Sequence, residues 1–360
     1  PRPEVSQAID LAHQAGIRVI MATGDHTRTA MAIGKSINLV SEDGRSLDQT
    51  ELEKLSDHEF TTAIQEVNIF TRLTPQMKLR IAENLQALGH TLAMTGDGVN
   101  DALALKRADV GISMGKIGTD VARESSDIIL VDDNFNSIIS AVEEGRIIFR
   151  NVKQTSLFLI ITSLAEIGSI VLVMLLGYDL PFLAIQILWL NIVTDGFMDI
   201  CLATEGPHNR RVLTEPPQDK NARILSQDVI PFLVLIGGTI ITISVATFIV
   251  FYELTSGDLS YARTAIFVMM ALSQVFKVFT MRSLHESLVT IGIFSNRNII
   301  IGVGISFFLL LIAVYTPWFQ EWFQFQPLAP LHFLLLMGIA SSVLWIGEGY
   351  KYIKRNAGNI

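Results

Sequence analysis

Residues 95–101 read TGDGVND and directly follow a short apolar run at 91–94. Two glycines let the backbone approach a ligand closely, and two aspartates offer the hard oxygen ligands that Mg²⁺ prefers. A plain turn is the alternative, but the density of Gly, Asp and Asn in one loop favours a ligand site. The stretch therefore predicts the carboxyl end of a strand in an α/β sheet, where such sheets bind their ligands.

Short β-rich runs alternate with amphipathic segments through the first 155 residues. Buried parallel strands are predicted at 17–22, 69–73, 91–94, 110–114 and 128–131. Helices are predicted between them at 4–15, 27–37, 75–88, 101–106 and 119–124. This alternation is typical of a doubly wound α/β sheet.

Further polar residues fall at positions where they can join the 95–101 loop. Thr23, Gly24 and Asp25 follow the first predicted strand, and Lys78 lies near the start of a predicted helix. Taken alone, Thr-Gly-Asp is more often a turn, and a lone lysine is usually solvated. Together they supply a hydroxyl, an amide and a positive charge beside a metal loop. These are the components that phosphoryl transfer requires.

The remainder of the chain is dominated by long apolar runs. Hydrophobic residues make up 50% of the sequence and its mean hydropathy is +0.42, which is too apolar for an ordinary soluble domain. We predict membrane helices near 157–176, 181–203, 229–252, 265–280, 298–315 and 331–349. The net charge of −8 argues against a nucleic-acid partner, and the single Cys201 excludes an internal disulfide.

Basic residues concentrate in alternate loops of this region. Loops 206–228 and 281–297 and the tail after 350 contain Lys and Arg, whereas 177–180 and 316–330 contain none. By the positive-inside rule, the soluble domain, the basic loops and the C-terminus are cytosolic. The sequence therefore predicts a multi-pass protein of a lipid bilayer, and we expect it in the cell membrane.

Carboxylates occur inside two adjacent apolar runs. Glu166 lies three residues after Ser163, which predicts that both share one helix face, and Asp195 follows Asn191 and Thr194 in the next run. Hydroxyl and amide groups in spans often only bond to neighbouring helices. A carboxylate in hydrocarbon costs at least ~2.5–3.5 kcal/mol and is usually functional. Because both runs carry oxygen atoms, we expect them to line a cation site.

Two more charged residues lie in these apolar runs, and their roles stay open. Asp199, one turn after Asp195, either pairs with a neighbour or extends an ion path. Lys277, in the same run as Gln274, either extends to the cytosolic edge or acts as an internal counter-charge.

Residues 94–106, MTGDGVNDALALK, closely resemble the hinge motif of P-type ATPases, and 131–135 and 142–146 resemble the run into that family's fifth span. The resemblance implies a haloacid-dehalogenase-like (Rossmannoid, parallel-sheet) cytosolic phosphorylation domain over 1–155. An all-α domain of six transmembrane helices, spans five to ten, would follow over 156–360. It further implies Mg²⁺ as cofactor, bound by Asp97 and Asp101, and ATP as substrate. The residues implied at the phosphoryl site are Thr23, Gly24, Asp25, Lys78, Asn100 and Asp101.

Residues 190–196, LNIVTDG, resemble the sixth span of the calcium-pump branch. Residues 163–166 match an Asn-x-x-Glu pair in its fifth span, with Ser163 in place of Asn, and Gln274 falls where an eighth-span glutamate binds calcium. The resemblance implies ATP-driven transport of a cation, with Ca²⁺ favoured and Na⁺, Mn²⁺ and Mg²⁺ as alternatives. The implied cation ligands are Ser163, Glu166, Asn191, Thr194, Asp195 and Gln274. We expect protons as counter-ions, because burial disfavours the charged form of a carboxylate that has lost its metal.

Several parts of that family's pattern do not occur in these residues. The Asp-Lys-Thr-Gly-Thr motif that contains the phosphorylated aspartate is absent from the sequence, and the chain opens at Pro1 without a signal peptide. We therefore expect the C-terminal part of a pump, inactive alone, whose partner is its missing N-terminal part. Two other hypotheses are a membrane-tethered phosphatase of the haloacid-dehalogenase type, which requires its own nucleophilic aspartate, and a non-catalytic partner subunit.

Overall fold

The computed structural model describes residues 1–207, 210–215, 217 and 224–357. The chain divides into two compact units: Pro1–Arg146 with Asn209–Ala222, and Ile147–His208 with Arg223–Ile360. Lys220 and Arg223, two of the basic residues behind the predicted orientation, lie outside the described residues.

The strands of the first unit form parallel sheets. They are β1 Met21–Ala22, β2 Ser46–Asp48, β3 Ile69–Thr71, β4 Ala93–Gly96, β5 Val110–Met114 and β6 Ile128–Leu130. Within the described residues they pair in the orders β1-β3-β2 and β4-β5-β6, so two three-stranded sheets replace the single predicted sheet. The register pairs Met21 with Ile69 and Ala93 with Val110. The polar loops therefore follow β1 and β4, each an edge strand of its sheet.

Helices surround these strands. They are α1 Glu4–Gln14, α2 Thr27–Ser36, α3 Gln49–Glu53, α4 Asp57–Glu66, α5 Pro75–Ala87, α6 Ala102–Arg107 and α7 Asp120–Glu124. A 3₁₀ turn, Val99–Asp101, precedes α6. β2, α3 and α4 were not predicted from the sequence, although capping boxes begin both helices. Asp48 accepts from the Glu51 N–H and Ser56 from the Glu59 N–H, the reciprocal pattern that satisfies the first free N–H groups of a helix.

The core of the first unit lies around β3. Ile69 and Phe70 of this strand are fully buried and pack against residues of α2, α4 and α5. The expectation of uniformly buried strands is wrong for β4 and β6: Thr95 is exposed, and Ile128 and Ile129 are 38% and 46% exposed. The reason is the sheet order, because only β5 has a neighbour on both sides in the second sheet.

The second unit is helical. Helix α8, Phe135–Leu175, has 41 residues, begins in the first unit and ends in the second. After it come α9 Ala184–Trp189, a π-helix Leu190–Asp195, α10 Gly196–Ala203, α11 Ile230–Leu254, α12 Leu259–Met281, α13 Leu288–Ile291, α14 Arg297–Tyr315, α15 Pro317–Phe323, α16 Pro330–Ala340 and α17 Ser342–Asn356.

The described residues contain six helical segments that are long and apolar enough to cross a membrane, as predicted. They are Phe135–Leu175, Ala184–Ala203, Ile230–Leu254, Leu259–Met281, Arg297–Tyr315 and Pro330–Asn356. The fourth, α12, lies at the centre of the unit. Of its most apolar stretch, 89% is buried inside the protein, whereas the buried share does not exceed 44% in any other of these segments. Polar side chains on α12 therefore face protein.

Candidate functional sites

The Thr23 loop is fastened to the segment after β3. The Thr23 N–H donates to the Phe70 carbonyl (3.0 Å), and the Leu73 N–H donates back to the Thr23 carbonyl (3.1 Å). The Thr23 hydroxyl accepts from the Asp25 N–H (3.1 Å), which closes a local turn. The segment that Thr23 contacts leads directly into α5, whose N-cap is Thr74. The loop and the helix that carries Lys78 are thus positioned by one backbone connection.

Lys78 joins α5 to the loop after β4. Its Nζ donates to the Asp101 Oδ1 at 2.7 Å, and both side chains are mostly buried. The other Asp101 oxygen accepts from the N–H groups of Asp97 and Gly98, each at 3.4 Å. Lys78 is therefore not a solvated helix residue, and Asp101 orders the loop as well as neutralising the lysine.

Gly96 allows Asp101 to approach the strand this closely. A Cβ at Gly96 would lie 2.4 Å from the Asp101 Cβ, a distance that real atoms do not reach. A Cβ at Gly98 meets nothing nearer than 3.8 Å, so the second glycine of the loop is not required by packing there. The geometry assigns the two glycines different roles that the sequence alone did not separate.

Two polar side chains of the loop remain exposed. Asp97 and Asn100 face solvent, and the Asp97 carbonyl accepts from the Thr119 N–H at 2.8 Å, which holds the loop's main chain. An exposed carboxylate at a strand end fits Mg²⁺, which binds through one or two carboxylates and keeps waters and phosphate oxygens as its other ligands. Asp101 is less available, because Lys78 and two N–H groups already occupy its oxygens.

The segment after β6 contains a second ordered carboxylate. Asp133 is buried and accepts from the N–H groups of Lys116 (2.9 Å) and Ile117 (3.1 Å). These backbone bonds, the Lys116 N–H first, hold the pKa of Asp133 below its usual range because they stabilise the carboxylate form. Asp133 thus fixes the loop after β5 in place.

In the second unit, the predicted Asn-Thr-Asp group lies on an irregular helix. The π-helix Leu190–Asp195 interrupts the second span, and Thr194 and Asp195 on it are buried. A π-helical turn costs hydrogen-bond geometry and frequently occurs at functional sites. The backbone at this point is therefore shaped to present side chains that a regular helix would place differently.

Buried carboxylate oxygens without hydrogen-bond partners gather in this part of the unit. Glu166 is 5% exposed and Asp195 is 1% exposed. One Glu166 oxygen, both Asp195 oxygens and one Asp199 oxygen have no hydrogen-bond partner within the described residues. Glu166 lies within interaction range of Asp195 and of the Asn191 amide, and Asp199 within range of Asp195. Unpaired buried acceptors of this kind are costly unless a cation, a water molecule or a proton satisfies them.

A lysine lies among these acids. Lys277 on α12 is fully buried, and its Nζ donates to the Phe158 carbonyl at 3.0 Å and to the Thr162 hydroxyl. It is within electrostatic range of Glu166, Asp195 and Asp199. Of the two roles left open for Lys277, an internal counter-charge fits this position, because no part of its side chain is exposed.

The structure brings together most, but not all, of the predicted cation ligands. Gln274 is buried and accepts from the Thr162 hydroxyl at 3.1 Å, with its own amide nitrogen unpaired. Ser163 is exposed, so it does not share the buried face of Glu166 as predicted; Thr162 takes that place. Within the described ranges, no group of three or more His, Cys, Asp or Glu side chains comes close enough to hold a metal by itself. Any cation bound here therefore needs neutral oxygen ligands in addition to the acids.

Two known families match different parts of the chain. The family described as "Cation transporting ATPase, C-terminus" matches residues 179–353, and the family described as "haloacid dehalogenase-like hydrolase" matches residues 1–109. This chain belongs to the cation-transporting ATPases. Its first unit is the haloacid-dehalogenase-like part, and its second unit contains the membrane-span candidates.

Named relatives extend over nearly the whole chain. It is 39% identical to the "Calcium-transporting ATPase" of Bacillus subtilis over 344 residues, 95% of this chain and 38% of that protein. It is 38% identical to "Calcium-transporting ATPase 1" of Schizosaccharomyces pombe over 99% of this chain and 40% of that protein. It is also 38% identical to "Calcium-transporting ATPase type 2C member 2" of Mus musculus, over 98% of this chain and 37% of that protein. The chain thus spans about two-fifths of the length of these relatives.

Two features of this cluster were not predicted from the sequence: the part played by Thr162 and the central position of Lys277. Thr162 lies next to Ser163, and only the packing of α8 shows which of the two faces the protein interior. For Lys277 a signal was available, because a lysine in the middle of an apolar run is as unusual as a carboxylate there. The π-helix had no signal in the residue pattern.

Proposed function

We propose that the full-length protein uses ATP to transport a cation, Ca²⁺ by preference, across a membrane through an aspartyl-phosphate intermediate. The observation that carries this proposal is the set of unpaired carboxylate oxygens on Glu166, Asp195 and Asp199, buried between membrane-span candidates. Oxygen ligands with negative charge suit a hard cation. The relatives named above are calcium-transporting ATPases, which supports Ca²⁺ over Na⁺, Mn²⁺ and Mg²⁺.

The first unit supplies the phosphoryl chemistry in this proposal. Thr23 and the Gly24 amide bind phosphoryl oxygens, and Lys78, held by Asp101, contributes positive charge. Asp25 completes the Thr23 turn, and Asn100 donates from the exposed side of the 95–101 loop. Asp97 would hold Mg²⁺, which would supply positive charge to neutralise the phosphate oxygens. The phosphorylated aspartate belongs to a part of the protein that does not occur in these residues.

The second unit supplies the ion path. Glu166, Asn191, Thr194, Asp195 and Gln274 provide oxygen ligands, and Ser163, which lies on the exposed face of α8, is not one of them. Ion transport requires two states that bind the cation differently, and phosphorylation biases which one is populated. Helix α8 is a continuous element that extends from the first unit into the second, and we propose that it links the phosphoryl site to Glu166. In domain terms, residues 1–155 are the phosphorylation domain and 156–360 the membrane domain.

ATP hydrolysis by the purified full-length protein tests the function. We expect stimulation by micromolar Ca²⁺, with Mn²⁺, Na⁺ and additional Mg²⁺ assayed separately as alternative ions. Glu166→Gln should lower the apparent Ca²⁺ affinity by about 100-fold, equivalent to about 2.7 kcal/mol. Glu253→Gln is a matched control, because Glu253 is an exposed glutamate at the end of α11 that bonds to Tyr178. Unchanged cation dependence in Glu166→Gln contradicts the site assignment.

Counter-ion and orientation complete the proposal. Protons return through the same acids, because a buried carboxylate without its cation is more stable in the neutral form. The first unit and the C-terminus are cytosolic, in the cell membrane, since Lys and Arg concentrate in alternate loops. The exposed Trp318 and Trp322 on α15 suit the opposite interface. Proton uptake by reconstituted vesicles tests the counter-ion, and protease access to the C-terminus in intact cells tests the orientation.

A further inference from the structure

Lys277 is held as a buried cation in the second unit, which is called the membrane unit below. Its Nζ lies 3.6 Å from the centre of the Phe158 ring and 3.0 Å from the Phe158 carbonyl, and it also donates to the Thr162 hydroxyl. All three contacts come from one turn of α8, and each is a contact that favours a positive charge. The lysine is therefore positioned by the protein rather than trapped by chance packing.

The hydrogen bonds of Lys277 leave several oxygens of the neighbouring acids without partners. Both oxygens of Asp195, one of Glu166 and one of Asp199 lack a hydrogen-bond partner within the described part of the chain, although the ammonium is within electrostatic range of all three. The Gln274 amide nitrogen, fully buried one turn before Lys277, is unpaired as well. The lysine offsets charge on the acids, but these oxygens remain without hydrogen-bond partners, so they can still accept a second positive ligand.

The balance of charge decides how many ions this cluster accepts. Three ionised carboxylates carry three negative charges, and the ammonium offsets one of them. One divalent cation neutralises the remainder, whereas two would leave an excess of positive charge in a low-dielectric region, which is strongly unfavourable. Resting on the proposed function, we propose that the Lys277 ammonium takes the place of one transported cation, so that the pump binds one divalent ion per cycle.

Binding stoichiometry of the purified full-length protein tests this directly. Radioactive Ca²⁺ bound at saturation is divided by the number of enzyme molecules that ATP can phosphorylate. We expect about one Ca²⁺ per phosphorylated enzyme for the wild type and about two for Lys277→Glu, because the exchange of charge makes room for a second divalent ion. Lys277→Arg should keep the wild-type ratio, because it keeps the positive charge.

A matched control separates this effect from the loss of any buried lysine. Lys351 is 1% exposed and pairs with Glu348 at 2.7 Å, so Lys351→Met removes a buried ammonium from another part of the unit and should leave the ratio unchanged. A wild-type ratio of two, or an unchanged ratio in folded Lys277→Glu, overturns the inference. If no Lys277 variant folds, the ratio of bound Ca²⁺ to phosphorylated wild-type enzyme still tests the inference, because a ratio of two contradicts it. A wild type that binds no Ca²⁺ and hydrolyses ATP without it overturns the proposed calcium transport itself.

Discussion

Two clusters of buried charge in the membrane unit are built differently. At one, Arg282 and Glu205 form a two-pronged ion pair, with the Arg282 Nη2 2.7 Å and Nε 3.0 Å from the two Glu205 oxygens, and Asn296 donates to one of them at 2.8 Å. At the other, Asp195 is equally buried, but neither of its oxygens has a hydrogen-bond partner within the described residues.

The difference indicates different roles for similar residues. A carboxylate whose two oxygens both accept hydrogen bonds, from a guanidinium and an amide, joins chain segments and has little capacity left for a ligand. A buried carboxylate without hydrogen-bond partners is costly unless a ligand binds it, and such groups occur in proteins chiefly at functional sites. The Glu205–Arg282 pair is therefore structural, whereas the Asp195 cluster is where we propose that a transported cation binds.

The largest effect is expected from breaking the paired cluster. Arg282→Met leaves Glu205 as a buried charge without its main partner and should lower the free energy of unfolding by about 3–5 kcal/mol. Unfolding by SDS in mixed micelles measures this loss. Arg297→Met is the matched control, because Arg297 is exposed, and should change the free energy by less than about 0.5 kcal/mol. A small effect of Arg282→Met would show that the pair adds little to stability.

Calcium should act on the unpaired cluster alone. At a concentration about 100 times its dissociation constant, Ca²⁺ should stabilise the wild type against unfolding by about 2.7 kcal/mol, because it binds the folded state only. Asp195→Asn should abolish this gain, since it removes a charged ligand. Arg282→Met should show the same stabilisation by Ca²⁺ as the wild type, although its free energy of unfolding without Ca²⁺ is lower. Equal calcium stabilisation of Asp195→Asn and the wild type would place the cation elsewhere.

A smaller version of the same contrast exists in the first unit. Lys78 and Asp101 pair at 2.7 Å with side chains only 13% and 12% exposed, whereas Lys35 and Glu42 pair at 2.9 Å in solvent. Lys78→Met should destabilise the first unit by about 1–3 kcal/mol, because it leaves Asp101 partly unmet. Lys35→Met should cost less than about 1 kcal/mol. Hydrogen exchange of the loop at 95–101 measures the local loss, and equal effects of the two variants would contradict it.

Local pattern predicted much of the first unit. The apolar runs that became β3 and β5 were evident in the sequence, and so was the helix that begins at Pro75, because an N-cap Thr and a proline mark its start. The strand β2 is only Ser-Leu-Asp, too short and polar for a pattern to reveal. Burial of β4 was mispredicted because sheet order, which decides which strands are edges, is a property of the whole fold.

In the membrane unit, the sequence identified the unusual carboxylates but not their surroundings. Glu166 and Asp195 could be singled out because charge in an apolar run is costly wherever the helix points. Whether Thr162 or Ser163 faces the interior depends on which helices pack against α8, and a spacing of three or four residues does not decide it. The position of Lys277 among the acids is likewise a result of tertiary packing between α8, the π-helix and α12.

The smallest expected effect concerns pH and Asp133. Backbone N–H groups of Lys116 and Ile117 hold its folded-state pKa below the ordinary value of about 3.9. Its stabilisation is therefore fully present above that ordinary value and is lost as pH falls through the lower folded-state pKa. In wild-type protein, amide protection at Lys116 and Ile117, corrected for intrinsic exchange, should decrease over this acidic range.

Substitution separates Asp133 from general acid unfolding. Asp133→Asn removes the titrating group, so protection at Lys116 and Ile117 should already be reduced at neutral pH and should change less on acidification. Asp132→Asn is the matched control, because Asp132 is exposed and bonds instead to Ser137 and the Asn134 N–H. If both variants alter the acid profile equally, the pH dependence belongs to the whole first unit. The negative charge of Asp133 would then not be what holds the loop that contains Lys116 and Ile117.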